Sequence, residues 1–381
     1  LRYRALLSPY RLARASGLSD AAWSELVGAL DAHLAEVDGR GFRATPLAPQ
    51  PTLARAAGHA GALWTKDETG NVSGSHKARH LALVELYLRV AEAARLPAAA
   101  ALAGRRLAIA SCGNAALAAA VIAAAARRPL DVFIPPDASL TVVARLRALG
   151  AGITVCERRA SETGDPCFLR FQEAVAAGSI PFGVQGTENG LAIEGGRTLA
   201  FEVADGFREA EAASKALREA RAAPDVLYVQ VGGGALASAL AQGLALAAAA
   251  GVLPRAPRLI AVQTHGCAPL VRAWARLGPD SLADAARRRS RYMWPWETTP
   301  HSVAHGILDD ETYDWWAIAG GMRATGGAPV VATEEQLVRA QALAAQAGLP
   351  ASATGTAGLA GLLAAPAPGA CAVVIVSGAE R

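Results

Sequence analysis

Along the chain, stretches with helical periodicity alternate with short runs rich in β-branched residues. The runs at 107–110, 131–134, 152–156, 226–231, 258–263 and 372–376 read as strands, and each ends in or near Gly, Ser, Pro or a polar residue. Helices are expected at 78–90, 115–127, 141–149 and 235–250. This strand, loop, helix rhythm is that of a parallel sheet covered on both faces, so the expected class is α/β. Residues 131–156 form a compact βαβ pattern, punctuated by Pro135-Pro136 and Gly150. Residues 278–300 differ: Arg-rich at first, then Tyr292, Met293, Trp294, Pro295 and Trp296, they read as an irregular excursion from the sheet.

Composition narrows the function classes. A chain of 381 residues has room for two packed lobes, and with 52% hydrophobic and 18% charged residues it has ample core and no sign of disorder. The net charge of +4 comes from Arg scattered through Ala-rich helices. No basic stripe with interleaved aromatics is present, and the run Arg287, Arg288, Arg289, Arg291 reads as a solvated helix end, so no nucleic-acid partner is expected. The apolar stretch 115–126 is too short to span a bilayer, and no membrane association is expected. Five cysteines (Cys112, Cys156, Cys167, Cys267 and Cys371) are an odd number without CxxC spacing, which indicates neither a disulfide framework nor a zinc site. The first residues carry no signal-peptide pattern. The expected compartment is the cytoplasm.

The most informative stretch runs from Lys66 through Ser73-Gly74-Ser75-His76-Lys77-Ala78-Arg79. A polar, Gly-containing loop leads straight into a helix, so Lys77 falls in the first turn. Unpaired N–H groups and positive potential there favour a nearby phosphate and disfavour protonation of an amine, which suits a neutral nucleophile. On this segment alone, a surface lysine after a Ser-rich N-cap explains the pattern at least as well. Two other loops change the balance. Ser111-Cys112-Gly113-Asn114 lies between a strand and a helix, and so does Gly232-Gly233-Gly234-Ala235-Leu236, a candidate cradle of backbone N–H groups for phosphate. A Gly-rich loop by itself could equally hold a dinucleotide or let a helix pack closely, although the Gly-x-Gly-x-x-Gly spacing is not clearly present.

Taken together, these segments resemble the tryptophan synthase β-like superfamily, the fold type II pyridoxal-phosphate enzymes. Glu194-Gly195-Gly196-Arg197-Thr198-Leu199-Ala200 and Val376-Ser377-Gly378 add to the likeness, which runs from about residue 55 to the end of the chain. In motifs it is most like the threonine synthase and threonine-serine dehydratase members. The resemblance implies two parallel-rich, open twisted sheets flanked by helices, with pyridoxal 5'-phosphate in the interdomain cleft. It implies a smaller mobile domain at 60–186 and a larger cofactor-binding domain from 1–59 and 187–381, with the N-terminal arm around Trp23 on the larger lobe or on a second subunit of a homodimer. For the site, it implies that Lys77 carries the cofactor as a Schiff base and serves as the base at the substrate's α carbon. His76 would lie near the phosphate and Asn114 at the cofactor's 3'-oxygen. Gly232, Gly233, Gly234, Ala235 and Leu236 would hold the phosphate, and the Ser377 hydroxyl would face the pyridine nitrogen. The amides of Ser111, Cys112, Gly113, Asn114 and Ala115 would bind the substrate carboxylate.

A neutral hydroxyl at the pyridine nitrogen does not keep it protonated as a carboxylate would, which favours elimination or replacement over transamination. The expected activity is that of a carbon-oxygen or carbon-nitrogen lyase. It would carry out β or β/γ elimination, or replacement, on threonine, serine or an O-activated homolog. Alternatives are a cysteine synthase-like β-replacement synthase making a specialised amino acid, a cofactor-binding regulatory protein that has lost turnover, and a dinucleotide-binding α/β protein. Two departures stand out. Cys112 occupies a place where many relatives have a Ser able to act as acid or base, so it is either catalytic or an inert thiol. Ala78 stands where threonine synthases usually have Asp, while 299–307 and 351–355 look like threonine synthase and dehydratase segments. Arg79 would bind an acidic substrate group or cap a salt bridge. His301 and His305 either line the substrate pocket or are neighbours on a helix; lacking a third ligand, they indicate no metal.

Overall fold

Most of the β-branched runs become strands because they can bury both of their faces; β5 (Gly152–Val155), at a sheet edge, is the exception and stays half-buried to exposed. The protein is described here by a computed structural model covering residues 2–160, 162, 164–213 and 223–380. In chain order the strands among these residues are β1 (Leu47–Pro49), β2 (Leu63–Asp67), β3 (Leu107–Ala110), β4 (Leu130–Ile134), β5 (Gly152–Val155), β6 (Ile180–Pro181), β7 (Val226–Gln230), β8 (Arg258–Thr264), β9 (Ala328–Ala332) and β10 (Ala372–Val376). Every expected strand is present to within a residue. The expectation missed β1, β2, β6 and β9.

The chain divides into two compact units, Leu1–Arg43 with Asn71–Gly195 and Ala44–Gly70 with Gly196–Arg381. The first unit holds a four-stranded sheet in the order β5-β4-β3-β6, parallel throughout. Helices Asn114–Ala126 and Pro166–Ala176 lie against β3 and β4. The Asn114–Ala126 helix is almost entirely buried Ala, Leu, Val and Ile, and its small side chains let helices Asp20–Asp38 and Lys77–Ala93 approach closely. The N-terminal arm groups with this unit. Ala13 and Trp23 bury themselves against Val90 of the Lys77–Ala93 helix, a contact that only tertiary packing reveals.

The second unit holds a six-stranded sheet, β1-β2-β10-β7-β8-β9, parallel except where β1 meets β2. Alternation along its strands shows that both faces are covered. Leu227, Val229, Val373 and Ile375 join one core with Leu236, Leu240 and Met322. Their neighbours Val226, Tyr228, Ala372 and Val374 join another with Leu337, Ala357 and Ala360. The α/β class with parallel-rich sheets flanked by helices is thus observed. Residues 278–300 are less irregular than expected, containing a short helix, Leu282–Arg287, and a 3-10 turn, Arg289–Arg291. No helix among the described residues is long and apolar enough to cross a membrane.

Candidate active site

In the first unit the motif around Lys77 is set by a tight turn. Ser73 (φ 57°) and Gly74 (φ 69°) are consecutive left-handed residues. For Ser73 this conformation costs about 1 kcal/mol or more. It is held from both sides: the Val72 N–H donates to Asn71 Oδ1 at 2.8 Å, and the Ser73 N–H donates to Asp38 Oδ2 at 2.8 Å. The chain then passes through extended Ser75 and enters the helix Lys77–Ala93, so Lys77 is its first residue, half-buried. The start lies one residue earlier than the sequence pattern suggests. His76 and His80 are buried around it, and burial, reinforced by the Lys77 charge, holds His76 well below the ordinary histidine range and pushes His80 down to about 3. Ala78 and Arg79 are buried as well.

The Ser111–Asn114 loop is in the same unit. It leaves β3, where the Ser111 N–H donates to Phe133 O at 3.2 Å, and Asn114 opens the helix that packs on both the Lys77–Ala93 helix and the Val72–Gly74 turn. Ser111, Gly113 and Asn114 are half-buried, Ala115 is buried, and Cys112 is exposed.

In the second unit the triple glycine follows β7 and Gly234, at φ 98°, caps the helix Ala235–Ala249. Side chains are sterically excluded here. A β-carbon at Gly232 would run into Asp309 Oδ2 and lie 2.9 Å from Ile307 Cα; at Gly233 it would lie 3.0 Å from the Tyr313 ring, and at Gly234 2.7 Å from Ile318 Cδ1. The loop already holds an anionic oxygen: the Gly233 N–H donates to Asp309 Oδ2 at 2.8 Å. Ser377 is buried at the end of β10, which pairs in parallel with β7, so Ser377 and the glycines emerge at the same carboxyl edge of the sheet.

Residues 40–378 match the model of the family described as pyridoxal-phosphate dependent enzyme. The chain belongs to that family. Over 179 residues it is 27% identical to the threonine synthase of Methanocaldococcus jannaschii, a match spanning 46% of this chain and 38% of that protein. The chain therefore aligns with well under half of that relative's length. Among solved structures, maize serine racemase superposes with a TM-score of 0.66 at 17% identity, covering 93% of each chain. The processed form of threonine deaminase isoform 2 from Solanum lycopersicum gives 0.65 at 16% identity, covering 96% of this chain and 92% of that one. These two likenesses concern the fold.

Membership makes pyridoxal 5'-phosphate the cofactor. Each unit holds a donor that suits it: in the second the Gly233 amide binds an anionic oxygen, and in the first Lys77 is a half-buried primary amine at a helix start. Two histidines are corrected. His301 lies outside any helix and His305 opens a 3-10 turn, so they are not neighbours on a helix face. Two residues went unnoticed in the sequence. Gln263 is one: its Oε1 accepts the N–H of Leu270 at 2.8 Å and of Val271 at 3.2 Å, while its Nε2 donates to Val231 O at 3.3 Å, just before the glycines, and to Thr312 at 3.2 Å. Asp309 is the other, and its signal was the acidic run Asp309-Asp310-Glu311, which no motif singled out.

Proposed function

We propose that the protein is a lyase that eliminates a leaving group from a small amino acid such as threonine, serine or an O-activated homolog, in the manner of threonine synthases and dehydratases. The observation that carries this reading is Ser377, a buried hydroxyl just past the end of β10, beside the strand that feeds the triple glycine. Pyridoxal phosphate, when bound, supplies an electron sink for the pair released at the substrate's α carbon. A hydroxyl at its pyridine nitrogen offers no charge to hold that nitrogen protonated, which favours prompt loss of a β or γ substituent.

The chain's own residues divide the remaining work. Lys77 would be the residue that holds the cofactor aldehyde, and its amine would serve as the base at the substrate's α carbon. Asn114 orients the cofactor's 3'-oxygen, and the amides from Ser111 to Ala115 hold the carboxylate. The amides from Gly232 to Leu236 would hold the phosphate, with His76 the residue expected beside it. Cys112 would pass a proton during the reaction. The kinship with a threonine synthase and the shared fold with a threonine deaminase support this choice of substrate class.

The test is spectroscopic and chemical. The purified protein should show the near-visible absorbance band of a lysine-linked cofactor, and Lys77→Ala should lose it on dialysis. Serine, threonine, O-acetylserine and O-phosphohomoserine should then be compared for band shifts and for ammonia and keto-acid release. Product formation that requires an added nucleophile would assign the protein to β-replacement instead.

A further inference from the structure

The acidic segment beside the triple glycine has no part in the chemistry above. Asp309, Asp310, Glu311 and Asp314 put four carboxylates within six residues, next to the loop expected to bind a dianion. The segment is stitched to that loop. The Asp314 N–H donates to Gly233 O at 3.1 Å, and the Gly233 N–H donates back to Asp309 Oδ2 at 2.8 Å. Its approach is fixed from behind, where the Cys267 thiol donates to Asp309 O at 3.2 Å and the Trp296 N–H donates to Asp310 O at 2.9 Å. Because Gly232 and Gly233 lack side chains, the carboxylate lies directly on the backbone; its Oδ1 is 3.3 Å from where a Gly233 β-carbon would be.

We propose that Asp309 is an internal occupant of the phosphate cradle, whose carboxylate takes the Gly233 amide that a cofactor phosphate needs and must be displaced for the cofactor to bind. The proposal rests on the reading of Gly232–Gly234 as the phosphate loop. One N–H has one proton to donate, so carboxylate and phosphate exclude each other at Gly233. They also carry charge of the same sign, so even a displaced Asp309 that stays nearby opposes the phosphate. A cradle built from backbone amides attracts any anionic oxygen and cannot discriminate by shape. Asp309 thus sets how strongly a ligand must bind through its other groups before the phosphate seats. The penalty falls on the phosphate group, so free phosphate and the complete cofactor bear it alike.

The experiment uses the full chain, stripped of cofactor and retitrated, in the wild type and in Asp309→Asn and Asp309→Ala. Asp309 is half-buried, and the isosteric Asn variant keeps the test available should the Ala variant unfold. Equilibrium dialysis measures binding of pyridoxal phosphate, of pyridoxal, and of inorganic phosphate as competitor. Asp309→Ala should bind pyridoxal phosphate about tenfold more tightly than the wild type and be competed by about tenfold less inorganic phosphate; Asp309→Asn, which loses the charge but keeps an oxygen that accepts from Gly233, should change in the same direction by a smaller factor. Pyridoxal, which has no phosphate, should bind all three equally. Unchanged or weaker pyridoxal phosphate binding in both variants overturns the role of Asp309 while leaving the function intact. Equal tightening of pyridoxal overturns it too, since the effect would not act through the phosphate. If the wild type and both variants all bind pyridoxal phosphate no better than pyridoxal, the phosphate-loop reading itself is overturned.

Discussion

The rings of His76 and His80 meet edge to face, their centroids 5.6 Å apart, at the first turn of the helix that begins with Lys77. Both are buried, and burial, with the Lys77 charge adding to it, keeps them neutral. This has a consequence for stability. His80 is pushed from its ordinary value of 6.5 to about 3 in the folded chain. Below about pH 6.5 the unfolded chain binds a proton that the folded chain refuses, so stability falls as the pH drops through that window and levels off only near the folded value. From about pH 7 to pH 5 the His80 share is about 2 kcal/mol. In His80→Leu the fall in urea stability over this interval should shrink by about that amount. An unchanged slope would mean that His80 is not a buried neutral ring.

Gly195 is where the Gly190–Ala213 helix crosses the Lys77–Ala93 helix. A β-carbon there would run into Arg79 O and sit 3.0 Å from Leu83 Cβ and 3.1 Å from His80 O. Two of these atoms are backbone carbonyls that cannot swing away. Gly195→Ala should therefore destabilise the protein by about 2 kcal/mol, read as a lowered urea midpoint, with the Lys77-dependent absorbance band weakened as the helix shifts. Full stability in this variant would show that the helices separate freely.

Lys66 is fully buried in β2, where its Nζ donates to Thr45 O and to Glu202 Oε2, each at 2.6 Å. Glu68, also fully buried, accepts from the Thr45 hydroxyl. Lys66→Met would leave a carboxylate without its main cation in a largely dry setting, costing about 3 to 5 kcal/mol. The double variant Lys66→Met with Glu202→Leu should recover much of that loss. If the single variant is as stable as the wild type by denaturant titration, the pair is not holding β2.

These buried charges also explain why part of the fold escaped the sequence pattern. β3, β7, β8 and β10 are legible because they are built mostly of Val, Ile, Leu and Ala, the one charge among them being Arg258 at the exposed start of β8. β2 is hidden because Leu63–Asp67 reads as a polar segment until Glu202 and Thr45, distant in sequence, neutralise Lys66. β1 and β9 sit at the two edges of the six-stranded sheet, where Pro49 and Pro329 are tolerated and burial is partial. The lysine turn and the triple glycine were legible since each is a local pattern of Gly and Ser ahead of a helix. Asp309 was not, because its partner Gly233 lies 76 residues away and their hydrogen bond follows from packing alone.

Cys112 offers the sharpest division between chemistry and mere presence. It is exposed on the loop after β3, whereas Cys156, Cys167 and Cys267 are buried. Burial pushes the Cys267 thiol up to about 12 and Cys371 up to about 11, and it drives Cys167 higher still. A thiol reagent at mildly alkaline pH should therefore modify Cys112 first, and the fast phase should vanish in Cys112→Ser. Reactivity alone does not make it catalytic. A group that passes a proton in the rate-limiting step contributes about 10²- to 10⁴-fold, so Cys112→Ala should lose turnover on that scale while the cofactor band stays intact. Cys112→Ser should retain a larger share, because a hydroxyl can still carry the proton. An alanine variant with full turnover and an unperturbed band would remove Cys112 from the reaction, leaving Lys77 to carry the proton transfers alone.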